Sequence, residues 1–165
     1  MSAVTERLTK LNVPYEVIAH EQAFTSTEEA LALGVSPDDV VKTIVLDTPS
    51  GHALAVIPGS RRLDIRAAER AVDAKHVRMA TEREIEKGFP TYELGAVPPL
   101  GSLVGAPTYV DPEVMRHDTL VFAAGTQTES VKVRSEDLFR SEPMTVARSR
   151  DCPTPTMDSP GRRRR

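Results

Sequence analysis

The sequence predicts an α+β fold: a single domain with a mixed, mostly antiparallel, curled sheet and short flanking helices. The apolar runs are short, rich in β-branched residues and bounded by turn-forming residues, as strands usually are. A tight turn over residues 48–51 joins two such runs, so that pair is expected to be antiparallel. The length of 165 residues fits one domain with a core of ordinary size.

The central element of this prediction is the segment 39–47, which reads DVVKTIVLD. Its interior is apolar or β-branched apart from Lys42, which is typical of a buried strand. Alternation places Lys42 on one face together with Val40, Ile44 and Leu46. A cation there either extends from the strand end to solvent or faces a cleft that holds an anionic or carbonyl-bearing ligand, and the pattern alone leaves both open.

The helices are predicted from capping residues and from apolar residues at helical spacing. A capping box, formed either by Thr25 with Glu28 or by Ser26 with Glu29, precedes the second helix, and Gly34 ends it. The predicted helices cover residues 4–11, 27–33, 65–72 after a cap at Asp64, 82–87 after a cap at Thr81, and a short segment through Leu138 that Ser135 caps. Ile65, Ala68 and Val72 are expected to form the buried stripe of the third helix.

The remaining strands follow from short β-branched runs between turn signals. They are predicted at residues 15–18, 53–57, 77–79, 108–110, 120–124, 129–134 and 144–147.

The longest irregular segment, residues 88–106, contains four glycines and three prolines. A loop of this length is usually functional, although a connector that crosses a sheet edge is the alternative.

Composition excludes several kinds of chemistry. The single cysteine, Cys152, lies in a proline-rich tail, and the four histidines lack metal-ligand spacing, so no disulfide, metal or cofactor is expected. No apolar run has the length that crosses a bilayer, and the N-terminus lacks the apolar core of a signal peptide. We therefore expect a cytoplasmic protein without a membrane partner.

The charge of the chain is unevenly distributed. Residues 148–165 contain six arginines and two aspartates, so the body is more acidic than the formal charge of −3 indicates. We expect residues 1–147 to fold and residues 148–165 to form a disordered Pro/Arg-rich tail. An acidic body is unsuited to nonspecific binding along nucleic acid, so a nucleic-acid ligand would be held at one end.

Four segments, taken in order, resemble the YbaK-like family of aminoacyl-tRNA editing domains, which are relatives of the insertion domain of bacterial prolyl-tRNA synthetases. They read HEQAFTSTEE at 20–29, VVKT at 40–43, YELGAVPPLG at 92–101 and FAAGTQTESVKV at 122–133. The resemblance covers roughly residues 4–147. It implies a free-standing deacylase that hydrolyses the ester of a mischarged tRNA, with tRNA(Pro) or another tRNA carrying a small amino acid as the expected substrate.

The resemblance also implies site residues. The family's site lysine corresponds to Lys42, its glycine loop to Gly95 and Ala96, and the glycine of its late hairpin to Gly125, all expected in catalysis. The expected substrate-binding residues are His20, Phe24, Thr43, Pro98, Pro99, Thr126, Thr128 and Ser130. Ser130 stands where several relatives carry Asp or His, which leaves the amino-acid specificity open. For His20, Phe24 and the hairpin hydroxyls, a purely structural role is the alternative.

The chemistry is consistent with this implication. An aminoacyl ester is already activated, so positioning one water and stabilising the oxyanion could suffice without a catalytic triad. Amides at Gly95 and its neighbours would donate to the oxyanion, and Lys42 would orient the substrate. The expected partner is the acceptor end of the tRNA, and an aminoacyl-tRNA synthetase is a second candidate. The protein is expected to be a monomer or weak dimer. The alternative function is a noncatalytic module that binds aminoacyl-adenosine or an amino acid.

Overall fold

The computed structural model describes residues 2–151, which form two sheets with six short helices around them. The strands are β1 Tyr15–Ala19, β2 Val41–Thr48, β3 Gly51–Pro58, β4 Arg78–Met79, β5 Thr108–Val110, β6 Thr119–Thr126, β7 Glu129–Arg134 and β8 Thr145–Val146. The α-helices are α1 Ala3–Lys10, α2 Ser26–Leu33, α3 Ile65–Val72, α4 Glu82–Gly88, α5 Gly101–Val104 and α6 Ser135–Ser141.

The predicted fold class is confirmed, and the curled sheet is divided into two parts. One sheet has the strand order β1-β7-β6, and the other has the order β4-β2-β3-β5-β8. Most neighbours are antiparallel, including the predicted β2–β3 hairpin, whereas β5 runs parallel to both β3 and β8. A single parallel bridge between Val40 and Val121 connects the two sheets.

The largest core cluster lies between the two sheets. It combines Leu8 of α1 with Phe122 of β6 and Leu138 of α6, all of which are almost completely buried. A second cluster, which includes Leu46 and Ala68, packs α3 on the opposite face of the larger sheet. Each face of β2 therefore contacts a different core, which explains why its sequence is apolar on both faces.

Several local predictions hold because they depend on neighbouring residues. Thr25, Asp64 and Thr81 accept hydrogen bonds from the helices that they precede, and Gly34 ends α2 at φ +68°. Between the two capping alternatives for α2, Thr25 is the N-cap, and Glu28 accepts a hydrogen bond from the Phe24 amide.

Three local predictions require correction. The segment 88–106 is not wholly irregular, because Gly101–Val104 forms α5. Ser135 is the first residue of α6 and not its cap, since its hydroxyl donates to the His117 carbonyl. In the predicted stripe of α3, Ala68 is buried and Val72 packs against the same cluster, but Ile65 stays 37% exposed while Ala67 is buried.

The start of the predicted tail packs on the folded body. Ser149 is almost fully buried and accepts a hydrogen bond from the Asp64 amide. The Arg150 guanidinium lies 3.1 Å from the fully buried Asp111 carboxylate and 2.8 Å from Glu113. The ordered chain thus extends through these contacts to Asp151, and the rest of the predicted tail lies outside the described residues.

Substitution of Gly101 by alanine is expected to destabilise the protein by roughly 1–3 kcal/mol or more. A Cβ atom at this position would overlap the Thr108 hydroxyl and the Ala106 carbonyl oxygen, and backbone atoms cannot move aside easily. Gly105→Ala is the matched control: its φ of +71° adds strain of about 1–2 kcal/mol, but the space around it is open. Urea unfolding of both variants measures the difference, and a smaller loss for Gly101→Ala would contradict this packing.

Candidate functional site

An unpaired stretch of the β2 edge defines the candidate site. Along this edge the described chain pairs only at the Val40–Val121 bridge, immediately before β2, and with β4 at Leu46 and Asp47. Backbone groups of an antiparallel strand alternate between its two neighbours, and the Val45 carbonyl already faces this edge, where it accepts from Ala80. The Thr43 N–H and C=O therefore face the same edge, where no strand of the described chain pairs with them.

A cavity of about 290 Å³ lies along this edge. Its walls are formed by five parts of the chain: Phe24 and Thr25 with the start of α2, the exposed edge of β2, the loop at Gly95 and Val97, Ala123 of β6, and the region where β4 meets α4. Among the lining residues, Glu29 and Lys42 are the two with ionisable side chains. The volume suits a small ligand group.

Lys42 lies at this cavity, and its side chain is held in a half-buried position. Its Nζ atom donates to the Arg61 carbonyl oxygen at 2.5 Å. Burial lowers the pKa of Lys42; the charge of Asp151 opposes this shift, and that of Arg62 adds to it. Of the two interpretations of this lysine, the structure therefore favours the cleft over simple extension into solvent.

The glycine loop places two unused amides at the same cavity. Gly95 adopts φ +77°, and its Cα packs against the Phe24 carbonyl so closely that a Cβ atom would overlap the oxygen. The amides of Gly95 and Val97 donate to no other group of the described chain, whereas the Ala96 amide donates to the Glu93 carbonyl at 3.0 Å. Gly95 and Val97 line the cavity, whereas Ala96 does not, and only the folded loop reveals which of its amides have no partner in the described chain.

Gly125 supports this loop from behind and does not line the cavity. Its carbonyl accepts from the Glu93 amide at 3.0 Å, while the Glu93 carboxylate accepts from the Gln127 amide at 2.8 Å. The Gln127 side chain completes the connection by donating to the Leu94 carbonyl. The β6–β7 turn therefore fixes the loop that carries Gly95. Pro98 and Pro99 are buried beyond it, outside the lining.

A buried carboxylate, Glu29, forms another part of the wall. It is 6% exposed and accepts a hydrogen bond from Ser130, which is fully buried and in turn lies 2.8 Å from His20 Nε2. Burial raises the pKa of Glu29, although Ser130 and His20 oppose that effect. From the sequence, Glu29 is predicted only as the partner of Ser26 in a capping box. The one signal in the sequence is the apolar residue next to it, Ala30, which the structure shows to be buried on the same helix.

The other expected substrate-binding residues divide into two groups. Phe24 and Thr43 line the cavity, and the Thr43 hydroxyl is buried without a hydrogen-bond partner in the described chain. Thr126 and Thr128 lie on the hairpin outside the lining, and the Thr128 carbonyl accepts from the His20 amide. The cavity therefore brings together Phe24, Lys42, Thr43 and Gly95 directly, while His20 and Ser130 reach it through Glu29.

Two further features concern residues 2–151 as a whole. No group of three or more His, Cys, Asp or Glu side chains in this range is arranged to hold a metal ion. None of its helices combines the length and apolarity needed to span a membrane.

Comparison with known proteins identifies the family. The profile of the aminoacyl-tRNA editing domain matches residues 20–141, which is most of the chain. The chain therefore belongs to the aminoacyl-tRNA editing domain family, and its class of activity is that of an aminoacyl-tRNA deacylase. This confirms the resemblance found in the sequence.

Individual relatives share about 30% or less of their aligned residues with this chain. The chain is 27% identical over 126 residues to a protein of Enterococcus faecalis named as a Cys-tRNA(Pro)/Cys-tRNA(Cys) deacylase, EbsC, with 76% of each chain covered. It is 32% identical over 103 residues to the proline–tRNA ligase of Heliobacterium modesticaldum, a match that covers 62% of this chain and 18% of the ligase.

Solved structures share the fold. A crystal structure described as a trans-editing enzyme for prolyl-tRNA synthetase superposes with a TM-score of 0.78 at 25% identity, covering 91% of this chain and 96% of the other. The hypothetical protein APE2540 superposes with a TM-score of 0.82 at 22% identity, covering 91% of this chain and all of the other. The architecture is thus retained at low sequence identity.

Replacement of Gly95 by alanine should damage both the loop and the activity. The new Cβ would overlap the Phe24 carbonyl, and φ +77° is strained for alanine, so the amide would move away from the cavity. We expect a loss of deacylation rate on the order of 100-fold. Gly34→Ala, at φ +68° in open space, should cost comparable backbone strain and leave the rate unchanged. Equal rates for the two variants would contradict a role for the Gly95 loop.

Stability should depend on pH through Lys42. Because burial lowers its pKa below the ordinary value of 10.5, the folded protein releases this proton more readily than the unfolded chain. The cost of burying the charge is therefore fully present below the folded pKa and disappears as pH rises towards 10.5. Wild type should gain melting temperature relative to Lys42→Met as pH rises from 7 to 10.5. A difference that is constant over this range would contradict the shift.

Proposed function

We propose that this chain is a free-standing trans-editing deacylase that hydrolyses the ester between a wrongly attached amino acid and the terminal adenosine of a tRNA. The observation that carries the proposal is the arrangement of one cavity, which has the Lys42 ammonium on one wall and the unused amides of Gly95 and Val97 on another. This is the set of groups that an ester hydrolase without a nucleophilic side chain requires.

In this proposal the ester carbonyl lies near the glycine loop. Attack by water, which gives one proton to solvent, converts the carbonyl into a tetrahedral oxyanion to which the Gly95 and Val97 amides can donate. Collapse of the intermediate breaks the ester bond, and the leaving tRNA oxygen takes up a proton from solvent, so that the free amino acid and the tRNA hydroxyl are released. Lys42 would hold the adenosine end, and its positive charge would favour the anionic intermediate. The Thr43 hydroxyl, which is buried without a hydrogen-bond partner among residues 2–151, is available to the substrate or to the attacking water.

The size of the cavity and the names of relatives both support a small aminoacyl group. About 290 Å³ is at the lower end of ligand pockets, and the cavity must also admit part of the adenosine. One relative is named as a deacylase of Cys-tRNA(Pro), and another is a proline–tRNA ligase. We therefore propose tRNA(Pro), or another tRNA that carries a small amino acid, as the substrate.

Binding of the whole tRNA would depend on few phosphate contacts, since the body of the chain is acidic. A synthetase partner could supply the tRNA, or Arg162 to Arg165 could contact its phosphates. We propose that the protein acts in the cytoplasm as a monomer or weak dimer. Deletion of residues 152–165 should then weaken tRNA binding more at low salt than at high salt if the arginines contribute.

The decisive experiment measures deacylation of tRNA(Pro) charged with Ala, Cys, Ser or Thr. Hydrolysis of at least one member should be accelerated by wild type and reduced on the order of 100-fold in Lys42→Ala. Lys132→Ala is the matched control, because this lysine is exposed on β7 and lies outside the cavity. It should retain the wild-type rate.

Two results would contradict the proposal. Absence of acceleration for every member, in a protein shown to be folded, would exclude deacylation of these substrates. Saturable binding of an aminoacyl-adenosine without turnover would then indicate the noncatalytic binding module.

A further inference from the structure

Glu29, Ser130 and His20 form a hydrogen-bonded chain that leads from the cavity wall to the protein surface. Ser130 Oγ contacts Glu29 Oε1 on one side and His20 Nε2, at 2.8 Å, on the other. His20 Nδ1 lies 2.6 Å from the Glu21 carbonyl oxygen. The second carboxylate oxygen, Glu29 Oε2, has no hydrogen-bond partner among residues 2–151, although Glu29 lines the cavity.

The contacts fix the position of the carboxylate. Ser130 Oγ donates to Glu29 Oε1, and His20 Nε2 lies within hydrogen-bond distance of the same hydroxyl. Ser130 and His20 therefore hold one carboxylate oxygen of Glu29, and the other oxygen is left for a ligand.

Glu29 and Lys42 line the same cavity and differ in the sign of the charge that they can carry. These are the two ionisable side chains of the lining, and one carries a carboxylate where the other carries an ammonium. An aminoacyl ester has its own ammonium on the carbon next to the ester carbonyl. Within the cavity Lys42 repels this group and an ionised Glu29 attracts it, and both effects are strong where water is scarce. The location of Glu29 in the first turn of α2 further favours its ionised form.

We propose that Glu29 is the subsite for the α-ammonium group of the aminoacyl ester, and that Ser130 and His20 position its carboxylate. Ser130 holds Oε1 by donating to it, and the ammonium group donates to Oε2. This arrangement orients the ester carbonyl towards the Gly95 loop. The inference rests on the proposed function for the identity of the ligand.

Two hydrolysis-resistant ligands test the subsite without requiring turnover. Adenosine with a 3′-alanylamino group carries the ammonium, and its 3′-lactylamino counterpart has a hydroxyl in the same place. Calorimetry should show that wild type prefers the ammonium ligand by about tenfold or more, as a charge-assisted hydrogen bond allows. Glu29→Gln, which retains the shape of the side chain, should lose this preference while binding the lactyl ligand almost as wild type does.

Matched variants separate this role from a structural one. Glu129→Gln removes a carboxylate next to Ser130 but outside the cavity, and its ammonium preference should equal that of wild type. Ser130→Ala should reduce the preference partly, because Glu29 loses its orienting donor but stays in place. Melting curves establish that each variant is folded. This control is needed because Glu29 is only 6% exposed and contributes to packing.

The outcomes distinguish this inference from the proposed function. Equal affinity of wild type for both ligands, or a Glu29→Gln variant that weakens both equally, overturns the ammonium subsite even if mischarged tRNAs are hydrolysed. A preference that depends on Glu29, in a protein that hydrolyses no mischarged tRNA, supports the subsite and overturns the deacylase. Failure to bind either ligand overturns the subsite.

Discussion

The candidate site depends on one constraint, which is that β2 lacks a neighbouring strand along part of one edge. Backbone groups at such an edge must bond to water or to a ligand because burying them unpaired is costly. The two sheets separate at this point, so the edge opens into a cavity and not onto a flat surface. Thr43 contributes both its backbone groups and an unpaired hydroxyl there. The division of the sheet therefore creates the site.

The second determinant is a pair of partly desolvated charges. Lys42 and Glu29 line the same cavity. Burial lowers the pKa of Lys42 and raises the pKa of Glu29, and each shift favours the neutral form of the side chain. Neither is left without a local partner: Lys42 donates to the Arg61 carbonyl, and Glu29 accepts from Ser130. Such an arrangement costs stability and is retained more readily where a polar ligand binds. In the proposed complex, the opposite charges of Lys42 and Glu29 fix the orientation of the aminoacyl ester in the cavity.

The glycine loop is held in place by contacts that come from elsewhere in the chain. The β6–β7 turn bonds to Glu93 and Leu94, and Phe24, two residues before α2, packs against Gly95. These contacts place the loop amides before any ligand arrives, which is the condition for effective stabilisation of a developing charge. A long loop that is tied at several points can therefore act as part of a rigid site.

The sequence by itself determined the local elements and the family, because these depend on neighbouring residues or on motifs in order. Examples are the caps Asp64 and Thr81, the β2–β3 hairpin and the VVKT lysine. The sequence could not show that the Ala96 amide is occupied while that of Val97 is free, or that Glu29 meets Ser130 across 101 positions of sequence. Tertiary structure alone decided these points, because hydrogen-bond occupancy, burial and pKa depend on groups that only folding brings together.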